Sequence, residues 1–462
     1  MDKPRDYTIN VGFSLVFGVG QNQMFKVFLL ALVAFSQLML LPGNSTEVAQ
    51  SNAQLLTSAI QATRDTVTIP PGDWFVQGPL SFDSISNRKI SLMGNLTFLP
   101  NIDTYPFENG FYPDLFSFNN SHYITMEGPG ALDGSGFEWW KESLMGFAGQ
   151  SLLKRDERPK LLTFRLSTNL VINDLVMVNS PFWHLNLDDV ANVTINNLVV
   201  DVDTERQHSA LPSNLISYPK RPFSLYRWGL DQLLSNIPLF PLNTDGIDPA
   251  GINITIRNFT YRGYDDAIAV KPQSLRSIYS RCTSDLLLDG ANVTFSTGMA
   301  IGSVSTRPWR NCIDKVTIRN VEMVNPLKGI YVKSNPKSDK PGSGQISNIL
   351  FENFKVTGSI WWPIYIGPQQ QYQPDASGPG CMNYPLEDCE TNSEMEMTNI
   401  TLRNIAMTRT IFPYAGLIRA NASSPIIGLV LDRVNVEGNL ASIFGFISEF
   451  AMGITRDVSP SI

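Results

Sequence analysis

The stretch Asn192-Val193-Thr194-Ile195-Asn196-Asn197-Leu198, NVTINNL, is one copy of a pattern that recurs through the chain. The pattern reads Asn, apolar, any residue, apolar, any residue, Asn or Asp, apolar. The alternating apolar positions, rich in Val, Ile and Thr, predict a strand in each copy. The other copies are NLVINDL from Asn169, NITIRNF from Asn253, DLLLDGA from Asp285, KVTIRNV from Lys315, NILFENF from Asn348, NITLRNI from Asn399 and a weaker GLVLDRV from Gly428.

The spacing of the copies indicates a solenoid. Neighbouring copies start 23 (169 to 192), 32 (253 to 285), 30 (285 to 315), 33 (315 to 348) and 29 (399 to 428) residues apart. The gaps 192 to 253 and 348 to 399 are 61 and 51 residues, which fit two turns or one turn with an insertion. Recurrence at this length is typical of solenoids and propellers, and the copies lack propeller and helical-repeat signatures. We therefore predict an all-β, single-domain parallel β-helix, with buried asparagines stacked into ladders whose amides are satisfied.

The N-terminal region carries a targeting signal. The apolar run MFKVFLLALVAFSQLMLLPG extends from Met24 to Gly43, with Lys26 at its start. We interpret residues 1–43 as an N-terminal extension and signal peptide with Met24 as the natural start; the alternative is a single signal anchor. Either places the body in the secretory pathway. No Gly-, Ser- or Pro-rich linker follows, so residues 52–462 are predicted to form one domain.

The net charge and the cysteine content limit the classes of function that fit this chain. The formal net charge is −7 and there is no run of Lys or Arg, which argues against a nucleic-acid partner. An acidic substrate would need a local basic patch. The four cysteines favour disulfides in a secreted protein, and we predict the pairs Cys282–Cys312 and Cys381–Cys389. Sequons such as Asn95-Leu96-Thr97 are candidate glycosylation sites, and we expect a monomer without stable membrane association.

Three aspartates lie in two short segments flanked by glycine. LNTDGID, residues 242–248, contains Asp245, and GYDDAIAVKP, residues 263–272, contains Asp265 and Asp266. Asp-Gly sequences commonly form turns, so a purely structural role is the alternative. Adjacent side chains in a strand point to opposite faces, and two neighbouring aspartates reach the same side only at a strand end or bulge. The apolar run after Asp266 permits such a strand end.

Residue spacing suggests that the acids share one column of the stack. The separations are 20 residues from Asp245 to Asp265, 33 from Asp265 to Gly298, 33 from Gly298 to Tyr331 and 32 from Lys333 to Tyr365. Converging carboxyl groups suit hydrolysis of a glycosidic bond. In an inverting mechanism a protonated carboxyl serves the leaving oxygen and a carboxylate activates water, with roughly 6.5–9.5 Å between them. Crowding of carboxylates raises the pKa of one of them, which supplies the acid.

These segments together resemble glycoside hydrolase family 28, the polygalacturonase-like enzymes. The resemblance spans nearly the whole chain after the signal and rests on IPPGDWFVQGPL, GPGALDGSGFEWW, RPKLLTFRLSTNLVINDLVMVNSPFWHL, NTDGID, DDAIAVK and IGSV. It implies a right-handed, pectin-lyase-like β-helix, no metal, no cofactor and a pectin-type polysaccharide as substrate.

The resemblance also implies roles for individual residues. Asp265 matches the general acid, and Asp245 and Asp266 match the pair that activates water. Lys333, in GIYVKS, matches the lysine of an Arg-x-Lys motif that binds a uronate carboxylate. Asn243 has either a sugar contact or a turn role.

Two positions depart from the family pattern. Ser296-Thr297-Gly298 stands where Gly-His-Gly is usual, so Thr297 replaces the histidine, and Tyr331 replaces the arginine of Arg-x-Lys. An arginine fork is not replaced by a phenol, so carboxylate recognition should weaken. Tyr331 is then a candidate for stacking on a sugar, and the substrate is expected to be a less charged or branched pectin-type chain. His184 is expected to be a satisfied strand residue.

Three aromatic positions and three function classes stay open at this level. Tyr365 is either a sugar contact or a buried core tyrosine, and one of Trp361 and Trp362 lines the cleft or clasps a loop. The favoured function is a secreted glycoside hydrolase that cleaves galacturonic-acid-containing polysaccharide. The alternatives are a catalytically impaired polysaccharide-binding β-helix and a calcium-dependent pectin lyase.

Overall fold

A computed structural model describes residues 38–62, 66–146, 153–154, 158–203, 243–273, 281–307, 311–337, 342–370, 384–386, 388–438 and 441–462. The chain divides into two units, Met1–Leu38 and Met39–Ile462, and every described residue except Leu38 belongs to the second. The predicted signal peptide lies almost wholly outside the described residues. Within the described ranges, no helix has the length and apolar character needed to cross a bilayer.

Strands dominate the described residues. The helices are α1 (Thr46–Ala62), α2 (Gly136–Gly146) and α3 (Ala441–Phe444), with a 3-10 turn at Ile102–Thr104. The strands are β1 (Thr66–Ile69), β2 (Asp73–Val76), β3 (Leu80–Asp83), β4 (Ser86–Leu92), β5 (Asn95–Phe98), β6 (Phe116–Asn119), β7 (His122–Glu127), β8 (Ala131–Asp133), β9 (Leu162–Arg165), β10 (Thr168–Asn173), β11 (Val176–Val178), β12 (Leu185–Asn196), β13 (Val199–Asp201), β14 (Ile247–Arg262), β15 (Asp266–Val270), β16 (Cys282–Thr294), β17 (Gly298–Val304), β18 (Asn311–Val324), β19 (Ile330–Ser334), β20 (Gly344–Thr357), β21 (Ile364–Gln369), β22 (Met395–Thr410), β23 (Gly416–Arg419), β24 (Ile426–Gly438), β25 (Phe446–Glu449) and β26 (Ala451–Ser459).

The pairing of these strands is that of a parallel β-helix. Each strand pairs in parallel with the equivalent strand of the next coil, as in the series β14, β16, β18, β20, β22 and β24. A second column runs β9, β12, β14, β15, β17, β19, β21, β23 and β25, and it carries the candidate site. The predicted fold class is confirmed.

The asparagine pattern forms ladders, as predicted, but on the surface. Asn192 Nδ2 donates to Asn169 Oδ1 at 3.3 Å, and Asn253 Nδ2 donates to Asn192 Oδ1 at 2.8 Å. These residues have φ between 54° and 57°, the left-handed region in which asparagine is tolerated. The prediction of buried ladders was wrong, because a left-handed residue sits at a corner of the coil and its side chain points to solvent.

Substitution of Asn197 measures how much one position of a second ladder contributes to the stability of the protein. Its Nδ2 donates to Asp174 Oδ1 at 2.7 Å, its Oδ1 accepts from Asn258 at 3.0 Å, and its φ is 55°. Asn197→Ala should lower the free energy of unfolding by about 1–3 kcal/mol, because it adds a left-handed strain and removes two exposed hydrogen bonds. Asn197→Gly removes the same bonds without that strain and should cost about half as much in urea denaturation. Equal losses for both variants would contradict the conformational part of the argument.

Stacked apolar side chains fill the interior of the coils. Among the described residues, one disulfide links two neighbouring coils. Phe118 stacks between Phe82 and Phe164, with ring centroids 5.2 Å apart on each side. Cys282 and Cys312 pair in register on β16 and β18 and form the predicted disulfide. Cys381 lies outside the described residues, so its pairing with Cys389 stays a prediction.

Candidate active site

The three aspartates singled out in the sequence converge. Asp245 lies just before β14, and Asp265 and Asp266 lie at the start of β15 in the next coil. One oxygen from each carboxyl group lies within 4.8 Å of the other two. Asp245 and Asp266 are buried, whereas Asp265 is partly exposed. The spacing argument was therefore right about convergence, and Asp265 is the acid that a substrate reaches most readily.

Local backbone features explain why neighbouring aspartates face one site. The pairing of β15 with β17 shifts register between Asp266 and Ile268, so this strand begins with an irregularity. That irregularity breaks the strict alternation of side chains. Gly246 allows close approach of the coil below, since a Cβ there would lie 2.4 Å from the Ala267 carbonyl oxygen. The glycine therefore keeps Asp245 close above the Asp265–Asp266 pair.

Asp265 is held by main-chain donors. The N–H of Asn243 donates to Asp265 Oδ2 at 2.5 Å, and the N–H of Asp266 donates to Asp265 Oδ1 at 2.8 Å. Asn243 has φ 59° and contacts Asp265 through its backbone. This geometry favours the turn role that the sequence left open for Asn243.

Thr297 replaces the expected histidine and bridges two of the acids. Its Oγ1 lies 3.2 Å from Asp265 Oδ1 and also hydrogen-bonds Asp266 Oδ1. A hydroxyl has one proton to donate and lone pairs to accept with. Thr297 can donate a hydrogen bond to one carboxylate and accept a hydrogen bond from the other carboxyl group when that group is protonated. The bridge therefore suits a pair of acids that share a proton.

Burial and mutual repulsion raise the pKa of Asp245 and of Asp265. The pKa of Asp245 lies well above its ordinary value, first because of desolvation and then because of Asp248 and Asp265. The pKa of Asp265 is raised by burial and by the charge of Asp266, and is partly lowered by Lys333. A proton is therefore retained in the cluster well above the pH at which an exposed aspartate loses it.

A buried ion pair connects Lys333 to the cluster. Lys333 Nζ lies 2.6 Å from Asp266 Oδ2, and both side chains are almost inaccessible to solvent. Burial opposes the charge of Lys333, but the Asp266 carboxylate outweighs it and the pKa of Lys333 is raised. The ammonium group therefore compensates a carboxylate of the site in addition to any role in substrate binding.

Sequence reasoning missed Lys328, a second ammonium group next to Lys333. Lys328 Nζ lies 3.9 Å from the ring centroid of Tyr331 and 4.5 Å from that of Trp361, and Lys333 Nζ lies 4.4 Å from the Tyr331 ring. Burial and the charge of Lys333 lower the pKa of Lys328 to about 7. Although the arginine of the family motif is absent at position 331, a second cation is present. Lys328 lies five residues before Lys333, outside the Arg-x-Lys motif, so the motif did not indicate it.

The aromatic residues of this region pack mainly with one another. Tyr331 and Tyr365 form an edge-to-face pair 5.2 Å apart, and the Tyr365 hydroxyl donates to the Gln369 carbonyl oxygen at 2.9 Å. Tyr331 is only 2% exposed and Tyr365 is fully buried. Tyr365 therefore has the contacts of the core tyrosine that the sequence left as an alternative. The expectation of a sugar stacked on Tyr331 is corrected, because ammonium groups and Tyr365 already surround its ring.

The residue counting for the column was also off, by one position at Gly298 and by two positions at Tyr365. The strands pair Asp266, not Asp265, with Gly298, and they pair Tyr365 with Tyr331 rather than with Lys333. The paired residues lie 32 residues apart from Asp266 to Gly298 and 34 residues apart from Tyr331 to Tyr365, so the coils differ in length. Trp361 and Trp362 precede β21 and are both buried, at 4% and 0% exposure, so neither provides an open wall of the cleft.

His184 supports the cleft from within. The ring lies in the coil before Asp245, with Nδ1 3.0 Å from the Asp245 carbonyl oxygen and Nε2 accepting from the Ser180 N–H at 3.1 Å. Complete burial lowers its pKa to about 4. His184 is thus a neutral, satisfied strand residue, as expected.

Asp248 and Lys271 extend the charged cluster and were not assigned from the sequence. Lys271 Nζ lies 3.0 Å from Asp248 Oδ1, and the Asp248 side chain is fully buried. Desolvation raises the pKa of Asp248 to about 6, although the Lys271 charge opposes this rise. The alternation of LNTDGID could have suggested Asp248, but its partner Lys271 lies in another segment, directly after β15, and was not visible locally.

The raised pKa of Asp248 predicts a pH-dependent stability. The folded chain binds this proton more tightly than the unfolded chain, where an aspartate has a pKa of about 3.9. Its stabilising contribution is complete below about pH 4 and is lost as the pH rises to about 6. Asp248→Asn should remove this dependence, so the stability of the native sequence relative to the variant should fall between these pH values and stay constant above them. Urea denaturation at pH 4, 5, 6 and 7 measures the difference, and a pH-independent difference would refute the argument.

The spacing of the acids differs from the expected one. The nearest oxygens lie within 4.8 Å, below the roughly 6.5–9.5 Å separation typical of inverting glycosidases. The same three oxygens are close enough to hold a cation. However, Lys333 already pairs with Asp266, so a metal ion would meet an ammonium group at that oxygen.

The chain is similar in sequence to known polygalacturonases. The chain is 25% identical over 337 residues to a probable exopolygalacturonase B of Emericella nidulans, covering 71% of this chain and 64% of that protein. It is 26% identical to a polygalacturonase of Persea americana, covering 70% of this chain and 56% of that protein. The chain thus spans less than two thirds of the length of these relatives.

Solved structures share the fold at lower identity. An endo-xylogalacturonan hydrolase from Aspergillus tubingensis superposes with a TM-score of 0.63 at 20% identity, covering 91% of this chain and 99% of that one. An exopolygalacturonase from Thermotoga maritima gives 0.60 at 17% identity, covering 88% and 86%. The sequence profile described as Glycosyl hydrolases family 28 matches residues 60–447. Because that match includes the coils and all three converging aspartates, the chain belongs to glycosyl hydrolases family 28.

Proposed function

We propose that the protein is a glycoside hydrolase that cleaves galacturonic-acid-containing, pectin-type polysaccharide. The observation that carries this proposal is the cluster of Asp245, Asp265 and Asp266, with oxygens within 4.8 Å and only Asp265 partly exposed. The names of the curated relatives, polygalacturonase and exopolygalacturonase, support the substrate class. Lys333, and Lys328 below about pH 7, provide positive charge beside the acids, which supports an acidic sugar despite the negative net charge of the chain.

In the proposed mechanism Asp265 is the general acid. Its accessible carboxyl group protonates the glycosidic oxygen as the bond to the anomeric carbon breaks. Asp245 and Asp266 orient a water molecule and remove its proton as the water attacks the anomeric carbon. Lys333 pairs with Asp266 and binds the uronate carboxylate. The hydroxyl of Thr297 hydrogen-bonds both Asp265 and Asp266, at the position where the family usually has a histidine.

We propose inversion at the anomeric carbon, although the acids lie closer together than the usual inverting range. Inversion requires the water on the face opposite the leaving oxygen, and the partly exposed Asp265 is separated in depth from buried Asp245 and Asp266. Proton NMR of the first product formed on a reduced trigalacturonate distinguishes the outcomes. The β-anomer from the α-linked substrate supports inversion, and the α-anomer would show retention.

The substrate experiment is release of reducing ends from polygalacturonate, rhamnogalacturonan and a neutral galactan. Release from one of the galacturonate polymers that is unaffected by a chelator supports the proposal and selects the polymer. An unsaturated product absorbing in the ultraviolet, lost on chelation, would indicate a lyase. Binding without release from any polymer would indicate an impaired, polysaccharide-binding β-helix.

We also propose that the protein acts outside the cytosol. The apolar run from Met24 to Gly43 has the composition of a signal peptide. The disulfide between Cys282 and Cys312 supports an oxidising compartment. Expression of the full chain in a eukaryotic host, followed by N-terminal sequencing of protein from the medium, tests this. Retention of the whole chain inside the cell would refute it.

A further inference from the structure

Asp245 is the acid of the cluster with the fewest contacts. Asp265 accepts hydrogen bonds from two main-chain N–H groups, and Asp266 pairs with the ammonium group of Lys333. Asp245 is 3% exposed, and its Oδ1 is buried without a hydrogen-bond partner among the described residues. A carboxylate that activates water must nevertheless be ionised before it can accept a proton. A positive charge close to Asp245 is therefore needed to favour its ionised form.

The ion pair of Asp248 and Lys271 lies next to Asp245. Asp248 follows Asp245 by three residues on β14, and Lys271 directly follows β15 in the next coil. The main-chain N–H of Lys271 donates to the Pro249 carbonyl oxygen at 2.9 Å, which fixes Lys271 across from the segment that carries both acids. Lys271 Nζ then lies 3.0 Å from Asp248 Oδ1, and the Asp248 side chain is fully buried. Asp248 therefore anchors the ammonium group of Lys271 at this point of the column.

The two charges of this pair act on Asp245 in opposite directions. Burial raises the pKa of Asp245 most, the Asp248 charge raises it further, and the Lys271 charge lowers it. Asp248 has a pKa of about 6, so above that pH two carboxylates compete for the Lys271 ammonium group. The other titratable side chains that act on Asp245 or hydrogen-bond its backbone are Asp265, Asp266, Tyr261, Lys333 and His184. These groups stay in place when only Asp248 or Lys271 is changed.

We propose that Asp248 and Lys271 are a positioning pair for the hydrolysis, in which Asp248 holds the Lys271 ammonium group beside Asp245 and the two charges together set the pH at which Asp245 accepts the proton of the attacking water. Asp248 is fully buried, so it acts through Asp245 and not on the substrate. Lys333 has the corresponding place beside Asp266, but it pairs with that acid directly. This inference rests on the proposed function, which gives Asp245 a part in the activation of water.

The test is the pH dependence of kcat on polygalacturonate, measured from pH 3 to 8. Protonation of Asp245 stops the reaction, so its pKa sets the acidic limb of this profile. Asp248→Asn removes a repelling charge and keeps the shape, and it should move the acidic limb to lower pH by about one pH unit. Adding Lys271→Met to that variant removes the remaining attraction and should move the limb back to higher pH by a similar amount. Lys271→Met is made only in this background, since alone it would leave Asp248 buried without its partner.

A matched pair of controls makes the same changes at an exposed ion pair. Asp285 and Lys315 lie 3.8 Å apart, and both side chains are more than half exposed. Asp285→Asn, alone and with Lys315→Met, should leave the profile unchanged. An acidic limb that stays at the native pH in both Asp248 variants, with kcat lowered at every pH, would show that the pair is only structural and would overturn this inference alone. No release of reducing ends by the native sequence would overturn the proposed function as well.

A second readout does not depend on activity. The pKa of Asp245 is higher in the folded chain than in the unfolded one, so its stabilising contribution is lost as the pH rises through the folded pKa. The difference in urea stability between the native sequence and Asp245→Asn should therefore fall with pH and then level off. In the Asp248→Asn background it should level off about one pH unit lower, and adding Lys271→Met should reverse this change. The same levelling pH in all three backgrounds would overturn the inference, whatever the activity of the enzyme.

Discussion

Replacing Asp265 by asparagine is expected to lower hydrolysis of the best pectin-type substrate by about 10²–10⁴-fold, the usual contribution of a general acid. Asp265 is the most accessible acid of the cluster, and burial together with Asp266 raises its pKa, so it holds a proton for the leaving oxygen. An amide at this position keeps the size and loses the transferable proton. Initial rates of reducing-end release measure the effect, with kcat expected to fall far more than KM changes.

A matched control separates this loss from a general effect of the substitution. Asp285→Asn makes the same change at an exposed corner of the ladder with φ 56°, paired loosely with Lys315 at 3.8 Å. It should leave the rate unchanged. If Asp265→Asn keeps more than a tenth of the activity, the acid lies elsewhere. Asp245, whose pKa burial raises well above its ordinary value, would then be the next candidate.

Replacing Lys333 by methionine is expected to lower the free energy of unfolding by about 3–5 kcal/mol, the cost of leaving a buried charge without its partner. The ammonium lies 2.6 Å from Asp266 Oδ2, and neither side chain is more than 7% exposed. Without it, Asp266 faces Asp245 and Asp265 uncompensated. Urea denaturation at pH 7 measures the change, and hydrolysis should fall in the same variant because the uronate loses a cation.

Two further variants identify the cause of that loss. Lys355→Met removes an exposed ion pair, 3.4 Å from Glu322, and should cost no more than about 1 kcal/mol. The double variant Lys333→Met/Asp266→Asn removes both buried charges and should recover much of the stability. A loss below 1 kcal/mol in Lys333→Met alone would contradict the argument and would indicate that Lys328 compensates Asp266 instead.

Some parts of the site could be predicted from the sequence, and others could not. The order and spacing of Asp245, Asp265 and Asp266 were enough to predict that they meet. The substitutions at Thr297 and Tyr331 were visible, but their consequences were not. Thr297 bridges two carboxyl groups of the preceding coil, and Lys328 lies beside Trp361 of the next coil, so both contacts join different coils. Asp248 and Lys271 escaped notice because they lie on neighbouring coils and pair only in the folded chain.

The sequence alone determined the parallel β-helix and the existence of asparagine ladders, because both depend on a pattern within one coil that repeats along the chain. Tertiary structure alone decided the exact register of the column and the burial of the tyrosines. It also decided which lysines join the acids. The physical reason is that coils differ in length and contain strand irregularities, such as the shift between Asp266 and Ile268. A shift of one residue moves a side chain to the other face of its strand, and residue counting does not reveal where such shifts occur.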